Sequence, residues 1–205
     1  MLVFGLGHDS AYWNKANSGG YTVFVEDSAE WISTIRAEHP ELEGKIFQYT
    51  YKTRLAKDGH RNGDYWFDRP GSSWESLFMF DELPPDSPLV TLQGKFDVVI
   101  VDAPMGMDWC PTCPSRLQSL WTARVMVRPG GHIVVDDCER MLEQSYARRF
   151  YGEGTSAQML SPSLRNPPRL SGRVDLVGRS ERERRGVALG YGAGGRPVAV
   201  LLPHG

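Results

Sequence analysis

Few features of this sequence point to covalent cross-linking, membrane immersion or bulk charge. The 205 residues include three cysteines, too few for the disulfide framework that holds small secreted domains together. No apolar run approaches the roughly 20 residues that cross a bilayer. The apolar start is interrupted at Gly5, Gly7 and His8, so neither a secretory leader nor membrane contact is expected of this chain. Lys and Arg number 23 against 25 Asp and Glu, a net charge of -2. A polyanion therefore meets no general attraction, and no nucleic-acid partner is expected. Charge is nevertheless uneven, with eight Arg against three acids in residues 165–196 and no Lys after Lys95. That segment reads either as a basic surface for an acidic polymer or as a solvated loop.

What is present is a chain long enough for one domain with a substantial core, expected over residues 1–205. Apolar runs at 2–6 (LVFGL), 22–26 (TVFVE), 45–51 (KIFQYTY), 96–102 (FDVVIVD) and 132–137 (HIVVDD) read as strands. FDVVIVD is almost continuously apolar, the mark of a strand buried on both faces. Between the runs lie helical stretches. In SAEWISTIRAEHP, Ser28 can cap a helix with Trp31, Ile32 and Ile35 on one face, where core packing is the reading for Trp31, as for Trp121. SRLQSLWTARVMV predicts a helix ended by Pro129, Gly130 and Gly131. CERMLEQSYARRF predicts one with Met141, Leu142 and Tyr146 inward and Arg140, Glu143 and Arg148 outward or over a site. RVDLVG and RPVAVLLP complete the pattern as a C-terminal antiparallel hairpin.

Strands alternating with helices define an α/β fold, here a central, mostly parallel seven-stranded sheet with helices on both faces. Residues 54–94 interrupt the rhythm with Gly, Pro, aromatics and charge, reading as an inserted loop that is either a sugar-contacting lid or surface decoration. The stretch from Trp74 to Leu83 is its expected helical part. Cys110 and Cys113 form a lone CxxC, read as a disulfide or two thiols in preference to zinc ligands.

In open parallel sheets ligands lie beyond the carboxyl ends of the strands, where strand order reverses. FGLGHDS places Gly5 and Gly7 there, letting backbone approach a ligand closely. Glu26 follows 19 residues after Gly7, as an acid that accepts ribose hydroxyls should. Asp9 repels a dinucleotide pyrophosphate and suits an ammonium or hydroxyl group, which favours S-adenosylmethionine over NAD. Asp102 ends one strand and Asp136 and Asp137 another. Three such acids either hold a hard divalent cation of the Mg²⁺ type or divide into a helix cap and an arginine pair. Arg116 and Arg140 can grip a substrate carboxylate or form ordinary salt bridges. Tyr51 and Thr53 either line the adenine or methionine end of the pocket or pack.

FGLGHDSAYW, VFVEDSAEWI, YKT, FDVVIVDAPMG and SLWTARVMVRPGGHIVVDDCER, in this order, make the chain resemble the glucuronoxylan 4-O-methyltransferase family, which includes the irregular-xylem proteins. The resemblance implies a Rossmann-like fold and methyl transfer from S-adenosylmethionine, aided by a divalent cation, to O4 of glucuronic acid on xylan or a related acidic polysaccharide or oligosaccharide. It implies that Gly5, Gly7, His8, Asp9 and Ser10 form the cofactor loop, that Glu26 is the ribose acid, and that Asp102 is the catalytic strand-end acid. Asp137, also expected to be catalytic, and Arg140 match the acid and arginine of a segment that in the family reads HDxDR. Here it reads DDCER, with Asp136 in place of the His, and the CPTC loop also departs from a shorter, cysteine-free family form, though Arg116 matches its arginine. Plant members are anchored Golgi proteins, which implies a Golgi setting for a parent protein of that kind. A small vicinal diol as acceptor, or a non-catalytic relative retaining the fold, are the other readings.

Overall fold

Five short apolar runs line up as one parallel sheet. In the computed structural model, which describes residues 1–55, 73–106, 110, 112–138 and 140–151 and the backbone of 190–191 and 197–201, they are β1 (Leu2–Phe4), β2 (Val23–Glu26), β3 (Ile46–Gln48), β4 (Phe96–Val101) and β5 (Val127–Asp136). Their order is β3-β2-β1-β4-β5, every neighbouring pair parallel. β1 and β2 are buried at every position, because helices cover both faces of such a sheet and leave no side for polar residues.

The helices are α1 (Ser10–Ala16), α2 (Ala29–Glu38), α3 (Pro88–Thr91), α4 (Leu117–Met126) and α5 (Met141–Tyr151). α2 starts where the Ser28 hydroxyl accepts the Trp31 amide at 3.1 Å, satisfying one of the unpaired first-turn donors. Its Ile32 and Ile35 pack with Val3, Phe24, Ile46 and Ile100 on one face of the sheet. On the other face Leu120 and Met126 of α4, with Tyr146 and Phe150 of α5, pack on Leu2, Phe4, Val99 and Val101. Strand order, not chain direction, reverses between β1 and β4, and helices on opposite faces part there.

Register brings the strand tips together. Phe4 stands opposite both Val25 and Val101, and Val101 opposite Val135. Gly5, Glu26, Asp102 and Asp136, the next residue of each chain segment, consequently emerge along one edge of the sheet.

Three expectations need correction. α4 ends at Met126, and Pro129–Gly131 belong to β5 instead of terminating the helix. Gly131 is enclosed by sheet backbone: an added Cβ would lie 2.9 Å from the Asp97 carbonyl. In α5, Met141 is exposed and Glu143 buried. The buried strip is Leu142, Glu143, Tyr146, Ala147 and Phe150, which is what a 3.6-residue repeat dictates once Tyr146 and Phe150 face the core. Between Trp74 and Leu83 there is a single 3-10 turn, Glu75–Leu77, since Pro84 and Pro85 follow closely. The strand expected at 173–178 lies outside the described residues. Among the described residues no helix is long and apolar enough to cross a membrane.

Candidate functional site

The edge formed by the strand tips is a cavity of about 710 Å³, within the range of small-molecule and cofactor sites. Gly5 leaves β1 with φ +118°, a conformation that L side chains rarely adopt. Two residues on, an added Cβ at Gly7 would stand 2.7 Å from Asp9 Oδ1, so this glycine lets Asp9 fold back over the bend. Asp9 Oδ2 accepts the Trp13 indole N–H at 2.8 Å. The Gly7 amide donates to Ser10 Oγ at 2.9 Å.

Glu26 fastens this bend to the start of α2. Its Oε2 accepts the Leu6 amide at 3.2 Å, and its Oε1 accepts the amides of Asp27 and Ser28 at 2.9 and 3.0 Å. Burial raises its pKa, and the Ser28 amide pulls the other way. Trp31 meets the His8 ring edge-on at 5.2 Å and reaches across, its indole N–H donating to the Leu6 carbonyl at 2.5 Å. Gly5, Gly7, Asp9, Ser10, Glu26, Asp102 and Asp136 all line the one cavity.

Beyond the tips of β4 and β5, Asp102, Asp136 and Asp137 offer carboxylate oxygens that lie within 4.8 Å of one another, the first two lining the cavity. Asp137 is a non-glycine residue at φ 57°. That turn, sparsely populated for an L residue, aims its Oδ2 at two guanidinium groups, Arg116 Nη2 at 2.9 Å and Arg140 Nη2 at 2.7 Å. Asp102 is 54% exposed. Its pKa is pushed up to about 7, by burial first, with Arg116 opposing and Asp136 and Asp137 adding to the rise. Because half of the side chain meets solvent, crowding by the two neighbouring carboxylates is the cause that persists in a water-filled cleft.

This donor set fits a hard divalent cation. All three groups are carboxylates, the ligand class Mg²⁺ and Mn²⁺ prefer. Asp136 Oδ1 is buried and has no hydrogen-bond partner among the described residues, an orphaned acceptor that an ion would satisfy.

Several expected site residues lie elsewhere. Arg116 does not open toward a substrate; its side chain is 2% exposed. Its Nε donates to the Pro104 carbonyl at 2.9 Å, its Nη1 to the Asp136 carbonyl at 2.6 Å, and its Nη2 to the Asp102 carbonyl at 2.9 Å and to Asp137. Tyr51 and Thr53 are buried against α4, away from the cavity: Ser119 Oγ donates to the Tyr51 hydroxyl at 3.2 Å, and the Thr53 amide donates to Gln118 Oε1 at 3.1 Å. Burial pushes the Tyr51 hydroxyl pKa upward. His8 points outward, its Nδ1 2.7 Å from Glu38 Oε2. Arg140 is partly exposed and absent from the cavity lining, with Nη1 donating to the Met105 carbonyl at 2.9 Å.

Two lining residues had no site role in the sequence. Trp13 and Trp31 wall the cavity, although helical apolar spacing reads as core for Trp31; the signal for Trp13 was its position four residues after Asp9 on the same helical face. Cys110 and Cys113 are joined in a disulfide, which removes them as zinc ligands. Cys113 also borders the cavity.

A parallel sheet opening at its switch point, a glycine bend, an acid after β2 and carboxylates after β4 and β5 together define a Rossmann-like α/β protein with a cofactor-sized cleft at the strand tips. The chain belongs to the IRX15/IRX15L/GXM family, which matches residues 1–161. It is 32% identical over 165 residues to arabinogalactan O-methyltransferase 2 of Arabidopsis thaliana, covering 75% of this chain and 55% of that protein. It is similarly 32% identical over 163 residues to glucuronoxylan 4-O-methyltransferase 1, with the same two coverages. Against protein IRX15-LIKE it is 33% identical over 164 residues, 73% of this chain and 49% of that protein. The chain thus spans about half the length of the curated relatives it matches.

Proposed function

We propose that this protein is an S-adenosylmethionine-dependent O-methyltransferase acting on an acidic polysaccharide or oligosaccharide, at O4 of glucuronic acid residues on xylan or a related glycan. The carrying observation is that the glycine bend, Glu26, Asp102 and Asp136 border a single cavity, with the Asp137 carboxylate clustered beside the last two. The relatives named as O-methyltransferases of arabinogalactan and glucuronoxylan support the acceptor class.

Gly5, Gly7 and Ser10 shape the backbone against the nucleoside, and Glu26 offers its remaining lone pairs to the ribose hydroxyls. Asp9 meets the ammonium end of the methionyl part. Asp102, Asp136 and Asp137 would hold a divalent cation, which when bound lowers the pKa of an acceptor hydroxyl. S-adenosylmethionine supplies a sulfonium methyl. Asp102 takes the hydroxyl proton as the acceptor oxygen bonds to the methyl carbon and the sulfur–methyl bond breaks, leaving S-adenosylhomocysteine. Arg140, partly exposed beside Met105, pairs with the uronic carboxylate. Arg116 has a different part in this reading, as the buried clamp that orients the aspartates.

The test is Asp102→Asn. Turnover on glucuronoxylan oligosaccharides should fall roughly 10²–10⁴-fold while S-adenosylmethionine affinity by calorimetry stays near wild type; near-normal turnover would remove Asp102 from this role. Failure of the folded wild-type protein to bind S-adenosylmethionine, with or without Mg²⁺, would favour a non-catalytic relative. Asp136, standing where the family motif has His, favours a second reading with a small vicinal diol as acceptor, which parallel assays with diols and oligosaccharides separate. We also infer a seven-stranded sheet: backbone at β6 (Gly190–Tyr191) and β7 (Pro197–Leu201) supports an antiparallel pair beyond β5, Asp136 facing Val198.

A further inference from the structure

Glu143 is used by none of the steps above. It lies in the first turn of α5, is 0% exposed, and among the described residues neither of its carboxylate oxygens has a hydrogen-bond partner. A buried carboxylate without donors is costly, and folded proteins retain few of them.

Its surroundings are charged. Burial pushes its carboxyl pKa upward, Arg116 and Arg140 pull it back down, and Asp137 adds to the rise. Its Oε1 lies 3.1 Å from where a Cβ on Gly106 would stand, and Gly106 has φ +61°, so this glycine both makes the turn and leaves room for the carboxyl group. Gly106 closes the loop that leaves β4. The same two arginines grip that loop: Arg116 through the Asp102 and Pro104 carbonyls, Arg140 through the Met105 carbonyl.

The charge balance gives the arrangement a purpose. Asp102, Asp136 and Asp137 surround the site with two guanidinium groups behind them, and without Glu143 most of their negative charge is spent on arginine. A fourth carboxylate placed behind the loop shares that attraction. Without an ion, burial and mutual repulsion favour the neutral form of Glu143 and Asp102; with a divalent ion opposing that repulsion and all groups ionised, four carboxylates against two guanidiniums leave two negative charges, matching the ion.

We propose that Glu143 is a positioning residue for the cation site. Its carboxylate offsets the charge of Arg116 and Arg140 without a hydrogen bond to either, so that the aspartates keep net negative charge for the ion although Arg116 also reaches Asp102 Oδ1 at 3.3 Å. This rests on the cation reading given above. It adds to that reading a residue outside the three aspartates, on an element that does not reach the cavity.

The experiment titrates Mn²⁺ alone into the intact chain, following water-proton relaxation, for wild type, Glu143→Gln and Glu143→Asp. Melting temperatures are measured without metal. Glu143→Gln should weaken Mn²⁺ binding about 10- to 100-fold with an unchanged or higher melting temperature, since Gln removes a buried acid that has no hydrogen-bond partner. Glu143→Asp keeps the charge and should bind Mn²⁺ within a few-fold of wild type. Wild-type affinity in Glu143→Gln overturns the proposal. So does a parallel loss of binding and melting temperature in both variants, which marks a packing role. If the wild type binds no Mn²⁺, the cation reading itself falls and takes this inference with it, an outcome distinct from the other two.

Discussion

Arg116 engages each of its three guanidinium nitrogens inside the protein, tying the carbonyls of Asp102, Pro104 and Asp136 to the Asp137 carboxylate. Removing it leaves buried carboxylates and carbonyls unanswered, so Arg116→Ala should cost about 3–5 kcal/mol in denaturant unfolding. Lys cannot reproduce the fork, and Arg116→Lys should recover only part of that loss. Asp102 behaves in the opposite sense. Its pKa is raised from 3.8 to about 7 in the folded protein, so the folded state binds more protons than the unfolded between those values. Stability contributed by the protonated form is therefore full below about 4 and is lost as pH rises through about 7. Metal-free wild type should melt at lower temperature at pH 8 than at pH 5, and Asp102→Asn should flatten that dependence, checked by calorimetry across the range. The aspartates were legible because each ends an apolar run. Glu143 was not, because its burial depends on the rotation of α5, which Met141 at the helix start disguises.

Among the elements, the glycine bend and the CPTC turn carry the clearest consequences. Gly7→Ala forces a Cβ to within 2.7 Å of Asp9 Oδ1, so Asp9 must swing away from Trp13. Weaker S-adenosylmethionine binding, with little change in melting temperature, is the expected result in calorimetric titration. The Cys110–Cys113 disulfide lies three residues before Arg116, and the Cys113 carbonyl accepts the Leu55 amide at 3.0 Å. Reduction by a dithiol should loosen this turn and raise hydrogen exchange at Leu55 without unfolding the sheet; unchanged exchange at Leu55 would show that the turn holds without the bond. The helix cap at Ser28 and the strand cores could be read from local pattern, because capping and burial act over a few residues. The end of α4 could not, since only the tertiary enclosure of Gly131 decides that Pro129–Gly131 continue as strand.

Across the molecule, the parallel order and the helices on both faces follow from alternating apolar runs, and the cleft follows from the reversal between β1 and β4. Which polar residues face that cleft is a different matter. Tyr51 and Thr53 follow β3, one position too far from the switch point, and α4 covers them; sequence order alone gives no strand adjacency with which to see this. The register of Phe4 with Val25 and Val101, and of Val101 with Val135, acts like a comb whose teeth end at a common line. Each tooth presents a single interchangeable tip to the same small space, so a swap at position 136 alone can alter the acidity of the chamber while the hydrophobic scaffold beneath is left untouched. A lineage built on such a comb can diversify its chemistry one tip at a time.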